Sequence, residues 1–213
     1  MNPTQDTLLF AILATVFTIL FLLELRSVLK IAPYLGKCVW RWKYNLEIED
    51  SLQLSRSRNQ VALTLVVPLC MLAYSWSLFS PEIIKVLPPT VQLCIVIAFL
   101  LFQMPLRAFL NWQIESRHHG TKALTAANGS FYSFLVILFF LLFVTGAAAQ
   151  AITSDPESTR RILLWVTGLS YSLYVIRKGQ IFASVCNPFV TILYLCGLEL
   201  FPASLLVLVA VLL

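Results

Sequence analysis

Residues 131–151 read FYSFLVILFFLLFVTGAAAQA, without one Asp, Glu, Lys, Arg or His. A helix needs about 20 apolar residues to cross a hydrocarbon core of about 30 Å. In lipid the backbone must satisfy its hydrogen bonds within the segment, which a helix does and an isolated strand does not. The stretch therefore predicts a transmembrane α-helix. Working outward, five more apolar runs follow the same logic: Leu8–Leu25, Val61–Phe79, Val91–Leu110, Ile162–Ile176 and Pro188–Leu213. The expected fold is all-α, a polytopic transmembrane helix bundle of about six spans, forming a single membrane domain over residues 1–213.

Composition agrees. Of 213 residues, 59% are apolar and 12% charged, where soluble domains carry about 25% charged residues. That leaves too little polar surface to cover a globule in water. The net charge of +5 does not form a stripe that would suit nucleic acid; the basic residues sit in short clusters between apolar runs, as at loops facing anionic headgroups. The five cysteines, Cys38, Cys70, Cys94, Cys186 and Cys196, contain no C-x-x-C pair and read as small buried hydrophobes. Met1–Thr7 has no Lys or Arg, and the first run ends at Glu24-Leu25-Arg26 without a cleavage pattern, so it reads as a retained span.

Orientation follows from positive charge. With Arg107 counted at the cytoplasmic end of the third run, the segments after runs one, three and five hold 7, 3 and 2 of the 15 Lys and Arg. This bias places those segments in the cytoplasm and both termini outside. Trp40, Trp42 and Trp112 then fall near inner ends and Trp76 and Trp165 near outer ends, as an interfacial aromatic belt requires. The run 162–176 spans only about 22 Å and is expected to continue through Arg177 and Lys178, whose side chains can snorkel. Residues 26–60 form the one sizeable cytoplasmic or interfacial segment. Its first half reads as a helix lying in the headgroup region, and Ser51 as the cap of a helix running into the second span.

Glu199 is the most informative residue. Asn187-Pro188 reads as a helix start, which puts Glu199 about 18 Å further along, near the bilayer midplane. A carboxylate there is costly and marks a site or a partner. Pro202 removes a backbone bond from the same helix and is expected to kink it. Counting rise from the other ends brings Tyr74, Ser75, Thr145 and Thr167 to a similar depth, with Arg107 as the nearest basic candidate. Three readings stay open: a protonated Glu199 bonded to hydroxyls, a Glu199–Arg107 link, and a proton- or cation-coupled site. Glu115, His118 and His119 share helical spacing, but the Gly-Thr-Lys that follows favours a solvated turn over a metal centre. No histidine lies within a run, which disfavours haem held by membrane histidines. No catalytic, cofactor or metal motif is present.

The segment Tyr194-Leu-Cys-Gly-Leu-Glu-Leu-Phe-Pro202, preceded by Arg177-Lys-Gly179, resembles a family of polytopic inner-membrane proteins of Bacteroidota known as a domain of unknown function. The resemblance is clearest over the last two runs, and its mark is an acidic residue one turn before a proline in the last helix, here Glu199 and Pro202. It implies a bacterial inner-membrane location and supplies no activity. The expected function is a non-catalytic accessory or scaffold subunit, with the lipid bilayer and another membrane protein or a second copy as partners and no nucleic acid. The alternative is a small proton- or cation-coupled transporter or channel using Glu199. A weaker third is a lipid-acting enzyme at the cytoplasmic face using Arg107, Glu115 and the histidines.

Overall fold

The computed structural model describes residues 3–76, 78, 91–95, 97, 98, 101, 102, 105, 122–152, 155–184, 187–200 and 204. Every regular element among them is helical. They are α1 (Pro3–Trp40), α2 (Lys43–Asp50), α3 (Leu52–Ser75), α4 (Lys122–Ile152), α5 (Pro156–Ala183) and α6 (Pro188–Leu195), the last continuing as a π-helical turn, Cys196–Leu200. Two helices are long and apolar enough to cross a membrane, Ala11–Trp40 within α1 and Thr125–Ile152 within α4. Protein buries only 6% of the apolar window in α1 and 33% of that in α4. Bare apolar surface on this scale suits lipid or a partner rather than water. Most of run 91–110, including Arg107, lies outside the described residues, as do the Glu115–His119 stretch and Pro202.

Helix α1 departs from expectation. It does not end near Leu25 but continues as one helix to Trp40, straight through Pro33. Residues 26–40 are therefore not a separate headgroup helix. The reason is a stripe at helical spacing: Val28, Ile31, Leu35 and Cys38 are all buried, and the first three join the core shared with α3 and α4. Spacings of three and four residues put them on one face. Burying that face offsets the backbone bond lost at Pro33. The opposite side carries Lys37, which lies over the Tyr34 and Tyr44 rings.

Ser51, Asp155 and Asn187 each mark the start of a helix. Helix α2 bridges α1 and α3, and Ser51 caps α3 by accepting from the Leu54 N–H at 3.5 Å. Across this hairpin the Gln60 side chain donates to Glu24 of α1. At α5, Asp155 accepts from the Glu157 and Ser158 N–H groups at 3.2 and 3.1 Å, with Pro156 at the first helical position. The Ser158 hydroxyl, followed by those two N–H groups, holds the Asp155 carboxyl below its usual range, so the cap is charged at neutral pH. Asn187 starts α6, its carbonyl accepting from Thr191 N–H at 3.0 Å and its side chain from Phe189 N–H at 3.4 Å.

Two glycines permit close approach. A Cβ at Gly146 of α4 would collide with the Trp76 indole, and one at Gly129 with the Glu49 carboxylate and Arg58 guanidinium. Gly129 thus admits a buried ion pair between α2 and α3, where Arg58 Nη2 donates to Glu49 Oε1 at 2.6 Å. Ser55 donates to the other Glu49 oxygen at 2.9 Å, and Asn59 accepts from Arg58.

Candidate functional site

Helix α5 carries the second buried ion pair. It is 28 residues long, about 42 Å, so it passes well beyond Ile176 and takes Arg177 and Lys178 with it. Tyr171, Tyr174 and Lys178 stand at spacings of three and four, on one face. Helical side chains lean toward the helix N-terminus. Lys178 therefore reaches back into the bundle rather than out toward the helix end. Helix α6 returns along α5 after the short 184–187 connection. Gly179 eases the contact, since a Cβ there would sit 3.1 Å from Leu195 Cδ1.

These two directions bring Lys178 and Glu199 together. The Lys178 ammonium donates to Glu199 Oε1 at 2.5 Å and to the Tyr174 hydroxyl at 3.2 Å. Tyr174 donates its own proton to the same Glu199 oxygen at 2.7 Å. One turn deeper, the Tyr171 hydroxyl donates to the Glu199 backbone carbonyl at 2.7 Å. Lys178 and Glu199 are each 1% exposed. The ammonium stands at the hydroxyl edge of Tyr174, 5.7 Å from that ring's centroid, and 6.0 Å from the centroid of Phe182. Phe131 and Phe134 of α4 close on the outer face of Tyr174, with centroids 6.3 and 5.6 Å away.

Glu199 occupies the π-helical turn. A π turn widens the helix, and such single turns recur at functional sites. In the sequence Pro202 cannot supply the N–H that the Leu198 carbonyl needs, so the α-ladder is weakened at this point. The Tyr171 bond to the Glu199 carbonyl ties the altered turn to α5.

The nearest basic candidate in the sequence, Arg107, lies outside the described residues. The described cation at Glu199 is Lys178, because α5 runs past Ile176 and the side chain leans inward instead of snorkelling. Of the other sequence candidates, Thr145 and Thr167 spend their hydroxyls on their own helices, on the Leu141 and Leu163 carbonyls at 2.6 and 2.8 Å. Thr145 lies about 16 Å along α4 from Phe134, at the far end of that helix from Tyr174. Thr167 is one turn beyond Tyr171 on the same face of α5. Tyr74 is partly buried against the α1–α3–α4 core, while Ser75 bonds the Met71 and Leu72 carbonyls. Tyr171, Tyr174 and Lys178 escaped the sequence reading. Their signal was the spacing of three and four residues that puts them on one face of α5.

Chemically the cluster is a carboxylate neutralised by an ammonium, with a phenol bonded to both and aromatic faces around them. It can exchange a proton between Lys178, Tyr174 and Glu199 without moving heavy atoms far, since each donor already points at its acceptor. Searched against protein-family models, curated proteins and solved structures, the chain matches none.

Proposed function

We propose that this chain is a multi-pass protein of a bacterial inner membrane, with six spans and both termini outside, in which Lys178 and Glu199 form the exchange site of a small proton- or cation-coupled transporter. One observation carries the reading: an ion pair buried in an apolar bundle, on a π turn. A buried pair is weak support for stability, because apolar residues of similar volume serve as well or better. An ionisable pair inside a membrane bundle points instead to a pathway for ions or protons. The pairing moves the balance from a scaffold toward transport. In this mechanism a proton or cation arriving at Glu199 takes the place of the Lys178 ammonium, and the π turn supplies the slack that separates the two side chains.

The test is reconstitution in liposomes holding a pH-sensitive dye. An imposed gradient of a transported cation should drive proton movement in the wild type. Glu199→Gln should abolish it, and Glu199→Asp should leave part of it. Wild-type exchange in both variants would remove the site reading.

A separate observation favours the accessory-subunit reading. Gly168 and Ser172 lie one turn apart on the exposed face of α5, and a Cβ at Gly168 would meet nothing within 4 Å. Small residues at this spacing let a second membrane helix approach closely. A partner recovered in stoichiometric amount after mild solubilisation, and lost on Gly168→Leu, would favour that reading.

A further inference from the structure

The chemistry around Lys178 Nζ is that of a receptor for an ammonium group. A carboxylate oxygen lies at 2.5 Å and a phenolic oxygen at 3.2 Å, and the Phe182 ring stands 6.0 Å away. Carboxylate plus aromatic faces is how proteins hold organic ammonium ions. We propose that this cage binds the primary ammonium group of a small amine, and that Lys178 is its tethered occupant, displaced when the amine enters. The proposal rests on the exchange-site reading above and names its substrate class.

The alternatives fit less well. A hard metal cation needs several oxygens at short range, and the Phe182 ring supplies none. A guanidinium is planar and presents its donors as a fork to two carboxylate oxygens, whereas the contacts Lys178 makes are to one carboxylate oxygen and one phenol. A single tetrahedral donor with three N–H groups matches one carboxylate oxygen, one phenol and a ring face.

Proton balance follows. Among the described residues, Glu199 from the π turn and Tyr174 and Phe182 from α5 itself face Lys178. Phe131 and Phe134 of α4 bring no charge, and the neighbouring Arg177 turns away to the Val39 and Trp40 carbonyls of α1. When an alkylammonium takes the carboxylate, the site holds one cation more than before. A buried ammonium that has lost its partner sheds its proton rather than stay charged. One alkylammonium therefore enters as one proton leaves, and Lys178 becomes a neutral amine. Re-protonation of Lys178 expels the amine and resets the site.

The probe is ethylammonium, titrated by calorimetry into the purified full-length protein in detergent, in buffers of different ionisation enthalpy. The wild type should bind it with release of close to one proton per amine. Lys178→Met, which removes the internal competitor, should bind it at least about tenfold more tightly with no proton release. Tetramethylammonium and guanidinium should bind neither protein comparably. Binding to the wild type without proton release, or no binding at all, would overturn the proposal; the wild-type measurement stands even if Lys178→Met does not fold. Equal affinity in the two proteins would also overturn it. Proton flux in liposomes separates the two levels. Flux that needs Glu199 but ignores amines sinks the ammonium class and leaves the exchange site. Absence of such flux sinks the exchange site as well.

Discussion

Lys178 is held by charge as much as by shape, and the energetics of its pair can be separated from those of its packing. Removing one member of a buried pair leaves an uncompensated charge and costs about 3–5 kcal/mol, while replacing both with apolar groups is often neutral or stabilising. Lys178→Met alone and Glu199→Met alone should each lower the denaturation midpoint in detergent by that scale. The double variant should recover most of the loss. A double variant as unstable as the two singles added together would mean that the two side chains act on stability independently of one another. Glu199 was legible in the sequence because a lone carboxylate inside an apolar run is conspicuous. Lys178 was not, because it follows Arg177 at the edge of a run, where basic residues ordinarily turn to headgroups. The signal that distinguishes it is directional: Tyr171, Tyr174 and Lys178 share a face, and side chains lean toward the helix N-terminus.

At the scale of elements, glycines report which helices touch. Gly129 is pressed against the Glu49–Arg58 pair, whose guanidinium is 1% exposed and has little room to retreat. Gly129→Ala should destabilise the α2–α3–α4 junction by about 1–3 kcal/mol through overpacking. Gly168→Ala adds the same methyl where nothing stands within 4 Å and should be neutral, or stabilise by up to about 1 kcal/mol through helix propensity. The same denaturation series reads both, and a larger loss at Gly168 than at Gly129 would contradict this packing. Element starts were well marked: Ser51 and Asn187-Pro188 begin helices where capping chemistry puts them. The length of α1 was not. Hydropathy falls after Leu25 as Glu24, Arg26 and Lys30 appear, whereas the buried stripe Val28, Ile31, Leu35 and Cys38 is periodic and invisible to an average.

For the whole molecule, the proposed six-span arrangement makes a topological statement. A reporter fused after Leu213 should be active only outside the cytoplasm, and one placed at Asn128, between the third and fourth runs, only inside it. Cytoplasmic activity at Leu213 would remove one span. The all-helical fold and its long apolar helix over 125–152 were readable from charge-free stretches such as 131–151, whose length and composition suit a helix. The centre of the bundle was harder to read, because it depends on how far one helix slides along another, and that offset is set by contacts such as Gly179 against Leu195 rather than by composition.

Arg177 and Lys178 are neighbours in the chain yet answer to different masters. Arg177 grips the last carbonyls of α1, at 3.1 and 2.9 Å, while Lys178 grips Glu199 of the π turn that follows α6. Helix α5 is thereby an axle clamped at one point from both flanks. If it turns to carry Lys178 away from Glu199, it must wrench the end of α1 with it, or let that grip go. A torque applied at either helix is then felt at the other, and the corner where α1 meets α2 becomes a place from which the buried pair can be opened or locked shut.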